Sequence, residues 1–539
     1  MLPWQALFSA AVGQDSPFTQ NVNLDTVEEQ AVTYEFAAGS FEGTLVWDTS
    51  FEGARPIVVV FHDADGPDAF ELWVAQRLAN AGYAAFVADL WGADVASGSE
   101  LSREEQDAAI ESLVDDPTEW LGRVQAALDA ATGQDASVVD PESVASIGYG
   151  FGGATVLELA RSGADVLAVA AVHPTTLTAV GPAGASFEGR VLVVVGDGQE
   201  DVASADIFEF EDELRALGAV WEVIRLAKAK QAFTLPTADD FDVVSDIRTW
   251  HAVTEFLQQV FDPDLIEYLD DPFSVTGVDD STLTSMDFEY MEGDVLLRGF
   301  VSYPADAQEQ LPVMLIIPDW DGIGDYEKWR TKLVAMEGYV GFTADIYGAN
   351  VTQGPSLPID ERRALTSSFF TPVTLFRSRM AAALAALKSD ALSPVADASK
   401  VVAIGYCFGG RGVGELMRDE PEGVIGVGSF HGGDMTTMGS VAQECNNIAT
   451  AVFNGANDWV TDEQIDEFIA EMNAASVNWE WHNYGGTVHS FTNPEVPRDG
   501  EGNAYNPVAD LRSWESVKAF METLISEGNP YVACPESRR

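Results

Sequence analysis

Short apolar runs alternate with amphipathic stretches along the chain, most clearly in its C-terminal half. Continuous apolar runs bounded by turn residues are VMLIIP, YVGFTAD, KVVAIGY, GVGSF and TAVFNG. Runs of this length are typical of strands in a parallel sheet that is covered on both faces. The stretches between them, such as EKWRTKLVAMEG, LFRSRMAAALAALKSD and DEQIDEFIAEMNAA, place apolar residues at helical spacing. This alternation predicts a doubly wound α/β fold that binds its ligand at the carboxyl ends of the strands.

The same succession of segments occurs twice in the chain. The matching pairs are 58–66 with 315–322, 80–94 with 336–350, 143–153 with 400–410, 168–174 with 426–432, 231–236 with 489–494, and 245–261 with 509–525. A nearly constant offset over so many segments indicates an internal duplication. The sequence therefore predicts two homologous domains, at 26–261 and 283–530, joined by the acidic, turn-rich linker 262–282.

Residues 1–25 precede the first domain and are predicted to be a tail or the remnant of a secretory signal. They include an apolar stretch and the small residues Ser9, Ala10 and Ala11. The first basic residue of the chain is Arg55, so the basic region that opens a secretory signal is missing. The sequence leaves both alternatives open.

The composition fits packed domains, since 46% of the residues are hydrophobic. No apolar run approaches the roughly 18–20 residues of a membrane-spanning helix. The charge is strongly unbalanced, with 28 basic against 87 acidic residues and a net charge of −59. Such a surface repels phosphate backbones and anionic lipids, so nucleic acids and membranes are excluded as partners. An acidic, lysine-poor composition is typical of saline surroundings, although an ordinary acidic protein, cytoplasmic or exported, fits it equally well.

Three cysteines, Cys407, Cys445 and Cys534, are too few for a disulfide scaffold. Cys445 and Cys534 either form a disulfide, as in an exported protein, or are two unrelated thiols. The sequence leaves this open because it does not give their separation. An odd number of cysteines leaves at least one thiol unpaired, and the surroundings of Cys407 make it the candidate for chemistry.

Cys407 lies in a strand–turn–helix pattern that is typical of a catalytic nucleophile. The apolar run VVAI is followed by Gly405-Tyr406-Cys407-Phe408-Gly409-Gly410 and then by a helical stretch. In such a nucleophile elbow the nucleophile occupies a strained turn, and glycines stand where side chains would meet the neighbouring strand and helix. The N-terminus of the helix stabilises both a thiolate and an oxyanion. Taken alone, the motif also fits a tight turn with a buried cysteine.

The segments after Cys407 supply an acid and a base in the order that α/β-hydrolases use. Asp458 follows the apolar run TAVFNG, where an acid can orient an imidazole, and His489 in the glycine-rich loop GGTVHSF is the candidate base. His482 lies before that loop in a strand-like segment. His431 precedes the acid and therefore breaks the order, so we interpret it as a structural or pocket-lining residue.

With these three motifs, the second domain resembles the dienelactone hydrolase family over residues 287–525. The family pattern is a Gly-x-Cys-x-Gly-Gly elbow, a Gly-x-x-Asp loop and a Gly-x-x-His-x-Phe loop, all present here in that order. The resemblance implies an α/β-hydrolase fold and a triad of the nucleophile Cys407, the general base His489 and the orienting acid Asp458.

The resemblance also implies roles for residues around the triad. Asp319, in IPDWDG, matches the family's acidic residue that holds the resting cysteine. The oxyanion hole would consist of the backbone N–H groups of Phe408 and Trp320. Candidate pocket-lining residues are Tyr347, Tyr406, Arg411, His431 and Phe491.

One departure from the family pattern bears on the substrate. Dienelactone hydrolases hold a substrate carboxylate with arginines, one of them in a loop that here reads IYGANVTQG and contains Asn350 but no arginine. On a chain with a net charge of −59, this favours a neutral ester or lactone. Arg411, just after the elbow, either replaces the missing arginine or is an ordinary arginine of a helix surface.

The first domain retains the elbow pattern without its reactive residues. Gly150 stands where the second domain has Cys407, and Gln231 stands where it has His489. Asp201 is the candidate equivalent of the acid. The glycine-rich GYGFGG lacks the lysine of a phosphate-binding loop, which excludes nucleotide binding. The first domain is therefore predicted to be a pseudoenzyme with a structural or pocket-shaping role.

The sequence thus predicts a cysteine-dependent ester or lactone hydrolase with one active domain. The alternative is a non-catalytic binding or scaffold protein built from two relic hydrolase domains. No cofactor motif and no metal-ligand spacing occurs, so neither a cofactor nor a metal is expected. The expected partner is a small-molecule substrate, and the two domains are expected to pair within the chain; the oligomeric state stays open.

Overall fold

The computed structural model describes residues 22–92, 95, 101–180, 186–262, 264–267, 278–354, 356–436, 438–439, 441–496 and 502–526. Its backbone forms two compact units, residues 1–263 and 264–539. Within the described residues, each unit contains eight strands and a set of helices. Most of the N-terminal tail and part of the predicted linker lie outside the described residues.

The strands of the first unit are β1 (Val27–Phe36), β2 (Gly39–Asp48), β3 (Arg55–Phe61), β4 (Ala84–Ala88), β5 (Val139–Tyr149), β6 (Ala168–Val172), β7 (Arg190–Gly196) and β8 (Val220–Leu226). They lie in the order β1-β2-β4-β3-β5-β6-β7-β8. β2 pairs antiparallel with β1 and β4, and the other neighbours are parallel. The helices are Ala69–Asn80, Arg103–Val114, Pro117–Thr132, Phe151–Arg161, Ser204–Leu217 and Val243–Phe261.

The second unit repeats this arrangement. Its strands are β9 (Leu283–Glu292), β10 (Val295–Pro304), β11 (Leu311–Ile317), β12 (Val340–Thr343), β13 (Ala396–Tyr406), β14 (Val424–Phe430), β15 (Ala449–Gly455) and β16 (Trp479–Tyr484). They lie in the order β9-β10-β12-β11-β13-β14-β15-β16. β10 pairs antiparallel with β9 and β12, and the other neighbours are parallel. The helices are Asp264–Glu267, Asp325–Met336, Ile359–Phe370, Thr374–Leu387, Phe408–Asp419, Asp462–Ala474 and Pro507–Ser526, with a 3₁₀ turn at Asp280–Thr282.

The predicted α/β class and the mostly parallel, doubly wound sheet are confirmed for both units. The continuous apolar runs became the central strands because helices cover both faces of the sheet there. One apolar cluster joins Ile316, Ile404 and Phe453 of the strands to Trp329 and Phe520 of flanking helices. The antiparallel pairs β1–β2 and β9–β10 were not predicted, because exposed and buried residues mix along them and leave no continuous apolar run.

A buried ion-pair cluster fixes the helix that follows the elbow, and it occurs in both units. In the second unit the Arg418 guanidinium contacts Glu415 at 3.0 Å and Glu471 at 2.8 Å and donates to the Met435 carbonyl. In the first unit the corresponding set is Arg161 with Glu158, Glu213 and the Leu177 carbonyl. Because each buried arginine contacts two carboxylates, losing the arginine would leave uncompensated negative charge in the interior.

The structure also bears on membrane-spanning helices and on the state of the cysteines. Among the helices of the described residues, none is long and apolar enough to cross a membrane. Cys407 is a free thiol, whereas Cys445 is disulfide-bonded. Cys534, the other half of the pair considered from the sequence, lies outside the described residues.

Candidate active site

The turn between β13 and the next helix holds Cys407 in a conformation that its glycine neighbours make accessible. Cys407 has φ of 53° and ψ of −114°, a left-handed backbone that side chains rarely adopt. A Cβ on Gly405 would overlap the carbonyl oxygen of Gly409, and a Cβ on Gly409 would overlap that of Ile317. The elbow glycines are therefore required by close backbone contacts.

The structure brings Cys407, His489 and Asp458 together from three separate loops. His489 Nε2 lies 3.0 Å from Cys407 Sγ, and His489 Nδ1 lies 2.8 Å from Asp458 Oδ2. The Asp458 side chain is fully buried, and its Oδ1 accepts the Trp459 backbone N–H at 2.7 Å. The imidazole thus has one nitrogen on a thiol and the other on a carboxylate, which is the connectivity of a nucleophile, base and orienting acid.

The electrostatics of this set favour a protonated imidazole. Burial lowers the pKa of His489, but the negative charge at Cys407 and the hydrogen bonds to Asp458 and Cys407 outweigh it. The net effect raises the pKa of His489 from 6.5 to about 10. His489 therefore carries a proton over the neutral range and can deliver it to a neighbouring oxygen.

His431 supports the elbow through a hydrogen bond to its backbone. Its Nδ1 accepts the Cys407 backbone N–H at 3.1 Å, so the proton of the neutral ring is on Nε2, which lies 2.8 Å from Thr492 Oγ1. Thr492 Oγ1 also contacts the Tyr326 hydroxyl at 2.7 Å. Burial and the nearby His489 charge lower the pKa of His431 well below its ordinary range, so it stays neutral. His431 thus holds the turn in place.

The first unit contains the same support without a nucleophile. His173 Nδ1 accepts the Gly150 N–H at 3.2 Å, and its Nε2 lies 2.8 Å from Thr234 Oγ1. Burial lowers the pKa of His173 to about 4, so this ring is neutral too. A polar support preserved beneath a turn without a reactive group indicates a role in folding.

These paired histidines yield a prediction with an internal control. We expect His431→Ala and His173→Ala each to lower the free energy of unfolding by about 1–3 kcal/mol, because each removes the two hydrogen bonds that a buried imidazole makes. Urea denaturation measures this loss. Only His431→Ala should also reduce turnover of an ester, since only that histidine supports Cys407. Equal effects of both variants on turnover would contradict this assignment.

The loop after β11 approaches the elbow and carries Trp320. The Tyr347 hydroxyl donates to the Trp320 carbonyl at 2.7 Å and anchors the loop. Phe408, the first residue of the elbow helix, stacks on Phe376 with ring centroids 4.4 Å apart. The first N–H groups of a helix have no partner within the helix, so this end of the helix offers donors. The oxyanion-hole role of the Phe408 and Trp320 N–H groups stays a prediction.

Asp319 lies in a group of three carboxylates beside the elbow. Oxygens of Asp319, Asp321 and Glu327 come within 4.8 Å of one another, the spacing of a cation site. Asp321 is already paired with Arg362 at 3.2 Å, and Glu327 accepts the Gly324 N–H at 2.8 Å. We therefore assign no metal to this group.

Asp319 itself is electrostatically unusual. Burial and the carboxylates of Glu327 and Asp321 raise the pKa of Asp319 well above its ordinary range, and the Cys407 charge adds to this. Its Oδ1 accepts the Asp321 N–H at 2.9 Å. The hydrogen bond at Cys407 Sγ is made with His489 Nε2, so the role implied for Asp319 in holding the resting cysteine stays a prediction.

Of the candidate pocket-lining residues not yet described, Tyr406 and Phe491 differ from Arg411 in their surroundings. Tyr406 and Phe491 belong to the apolar cluster of the unit and are fully buried. They pack behind the site, contrary to the expectation that they face a substrate, because β13 and the His489 loop turn these side chains inward. Arg411 lies over the Phe370 ring at 5.1 Å and 3.6 Å from Asp434, next to the elbow.

The first unit has the same elbow geometry around a glycine. Gly150 has φ of 54° and ψ of −115°. Gln231 Oε1 accepts from Gln199 Nε2 at 2.6 Å, so two glutamines occupy the places that His489 and Asp458 occupy in the second unit. The assignment of Asp201 as the acid was wrong. Gln199, three residues after the end of β7 as Asp458 is after β15, takes that place, and Asp201 is exposed.

Sequence reasoning missed two residues that contact the histidines beside Cys407. Trp459 stacks on His489 with centroids 4.4 Å apart and an interplanar angle of 21°. Thr492 pairs with His431 at 2.8 Å. Thr492 had a signal, because the two copies share Phe-Thr at 233–234 and 491–492. Trp459 had none, since Glu200 follows Gln199 at the corresponding position of the first copy.

Comparisons with known proteins point to one family. A family model described as dienelactone hydrolase family matches residues 41–261 and again residues 297–525. An uncharacterized protein of Caenorhabditis elegans is 32% identical over 150 residues, which are 27% of this chain and 92% of that protein.

Similar solved structures each cover slightly less than half of the chain. A dienelactone hydrolase-like promiscuous phosphotriesterase from metagenomic libraries is 32% identical with a TM-score of 0.41, covering 44% of this chain and 99% of its own. A chain named m3DLH is 26% identical with a TM-score of 0.40, covering 45% and 98%. The double family match identifies the internal repeat as a tandem duplication of one domain type.

Proposed function

Because the chain belongs to the dienelactone hydrolase family, whose fold supports a hydrolytic function, we propose that its second unit hydrolyses an ester or lactone. One observation carries the proposal. His489 joins Cys407 Sγ at 3.0 Å to Asp458 Oδ2 at 2.8 Å. The coarser conclusion, a hydrolase of this family, rests on the family match over most of the chain.

Acylation is the first half of the proposed reaction. The Cys407 thiolate attacks the carbonyl carbon, and the carbonyl oxygen becomes an oxyanion that the N–H groups of Phe408 and Trp320 stabilise. The tetrahedral intermediate then collapses: the C–S bond is retained, and the C–O bond to the alcohol breaks. The departing alkoxide takes the proton from His489 Nε2 and leaves a thioester on Cys407.

Hydrolysis of the thioester completes the cycle. Neutral His489 accepts a proton from water, and the resulting hydroxide attacks the thioester carbonyl at the same oxyanion site. The C–S bond breaks, the acid departs and the thiolate–imidazolium pair is restored. Asp458 holds the imidazole so that the same Nε2 serves both half-reactions.

We further propose that the first unit is a pseudoenzyme with a structural or pocket-shaping role. Gly150 offers no nucleophile, and the pair Gln199–Gln231 cannot exchange protons as an acid and imidazole do. The domain boundaries 26–261 and 283–530 are retained as part of this proposal. A neutral substrate suits the site, because carboxylates lie beside the elbow and the chain carries −59.

Acyl-enzyme trapping tests the proposal directly. Rapid mixing with p-nitrophenyl acetate should release a burst of p-nitrophenol equal to one per chain, and mass spectrometry should place one acetyl group on Cys407. The matched pair His489→Gln and Gln231→His controls for unspecific acylation, since only the first variant should suppress the burst. Absence of labelling on Cys407, or hydrolysis unaffected by its loss, would favour the alternative of a relic scaffold.

The His489 proton also sets a pH dependence. Its pKa is raised to about 10 in the folded chain from 6.5. The alkoxide needs this proton, so kcat/KM for an alkyl ester should fall as pH rises through about 10. The same shift contributes folding stability that is complete below about 6.5 and lost as pH rises through about 10. Initial rates and urea midpoints over this range measure both effects, and an alkaline limb near neutrality would contradict the assignment.

A further inference from the structure

Trp459 is an indole that the proposed mechanism does not use. Among the large hydrophobic side chains of the described residues, it has the largest exposed fraction, 63%. It nevertheless has a fixed position, because it stacks on His489 at 4.4 Å while its backbone N–H donates to Asp458 Oδ1 at 2.7 Å. An exposed aromatic ring held beside a reactive group offers a ready contact surface for a ligand.

The surroundings of His489 show where that surface faces. The two ring nitrogens are occupied by Asp458 and Cys407. His431 packs edge-to-face against the imidazole, with ring centroids 5.1 Å apart, and only 4% of His489 is exposed. The indole therefore covers one face of the buried imidazole and is itself exposed to solvent.

The first unit supports a link between the indole and the imidazole. The position after the acid is Glu200 there, and it is exposed. The base position holds Gln231, which has no ring on which an indole could stack. A tryptophan thus occurs at this position in the unit that has a histidine and not in the one that lacks it.

We propose that Trp459 binds the alcohol portion of the substrate and selects esters or lactones whose alcohol side is aromatic or bulky and apolar. This inference rests on the proposed function. The alcohol oxygen must come within hydrogen-bond distance of His489 Nε2 to take its proton, which brings its substituent within reach of the indole. When the C–O bond breaks, the alcohol leaves while the acyl group stays on Sγ. Trp459 therefore acts on acylation and not on hydrolysis of the thioester.

The test uses acetate esters of methanol, butanol, cyclohexylmethanol and benzyl alcohol, which share one acyl group. Their kcat/KM values report acylation alone. For the intact chain, the benzyl ester should react faster than the methyl ester. In Trp459→Ala this preference should fall about tenfold, the size of one aromatic contact with its buried area. Trp459→Phe should retain most of the preference, and hydrolysis of the common acetyl-enzyme should proceed at an unchanged rate.

The controls separate selectivity from damage to the site. Glu200→Ala, the matched change in the first unit, should leave every rate unchanged. An unaltered benzyl-to-methyl ratio in Trp459→Ala would overturn the proposal, and so would an equal loss on all four esters, which would make Trp459 a positioning residue for His489. If the intact chain hydrolyses none of the esters and forms no acetyl-Cys407, the proposed function itself fails, a result distinguishable from the first two.

Discussion

Replacing Cys407 by alanine is expected to lower turnover of any ester or lactone substrate by about 10⁴-fold or more, since members of a catalytic unit contribute together. The remaining donors and the buried His489 cannot form a thioester, so the p-nitrophenol burst should vanish as well. Steady-state rates and the amplitude of the burst measure the two effects.

Two further variants of the same chain are controls for this experiment. Cys445→Ala removes a different sulfur, and because Cys445 is disulfide-bonded it should alter stability rather than turnover. Gln231→Ala removes the residue that stands in the first unit where His489 stands, and turnover should survive it. If Cys407→Ala retained more than a hundredth of the original rate, the thiol would not be the nucleophile and the mechanism would be wrong.

Replacing Gly409 by alanine is expected to have the largest effect on stability. The new Cβ would overlap the Ile317 carbonyl oxygen, and the next closest atom, the Pro318 carbonyl oxygen, also belongs to the backbone of the strand end. Neither can move without displacing β11 or the elbow helix. We expect the second unit to lose about 3 kcal/mol or more, a large share of the stability of a typical domain.

Matched variants distinguish this overlap from the ordinary cost of replacing glycine. Gly152→Ala places the same overlap, against the Phe61 carbonyl oxygen, in the first unit. Gly293→Ala lies in the hairpin between β9 and β10, where no atom comes within 4 Å of the added Cβ, so only its φ of 55° opposes the change. For Gly409→Ala and for Gly152→Ala, hydrogen exchange resolved by peptide should show lost protection around the substituted elbow. A Gly409→Ala chain as stable as Gly293→Ala would contradict the packing argument.

The pattern of apolar runs predicted the central strands well because their burial is nearly complete. β11, β13 and β15 contain few exposed positions, so the sequence there is apolar without interruption. β9 and β10 lie at the edge, where half-exposed positions alternate irregularly with buried ones. Their antiparallel pairing depends on a hairpin and on β12, which a pattern of single residues does not encode.

The candidate site was partly predictable for a related reason. Cys407, Asp458 and His489 each follow a strand, and the parallel sheet brings the ends of its strands to one edge. The acid position of the first unit was misassigned because an acidic residue was sought. The structure instead places Gln199 there, which pairs with Gln231 and not with a histidine. Trp459 was not predicted because it stacks on His489, which lies 30 residues later in the sequence, and no spacing pattern reveals such a contact.

The backbone of the two elbows has a consequence for the history of the chain. Gly150 and Cys407 share nearly the same φ and ψ, in a region that glycine occupies freely and cysteine does not. A cysteine returned to position 150 would carry a Cβ 2.9 Å from the Asp63 Cβ and would adopt a strained backbone. Loss of a nucleophile at such a turn relieves strain, whereas its return imposes strain and also needs two partners at Gln199 and Gln231. Under the proposal that the first unit is a pseudoenzyme, decay of its site is therefore an evolutionary step that is hard to reverse, and the duplicated elbow acts as a ratchet towards a single active copy.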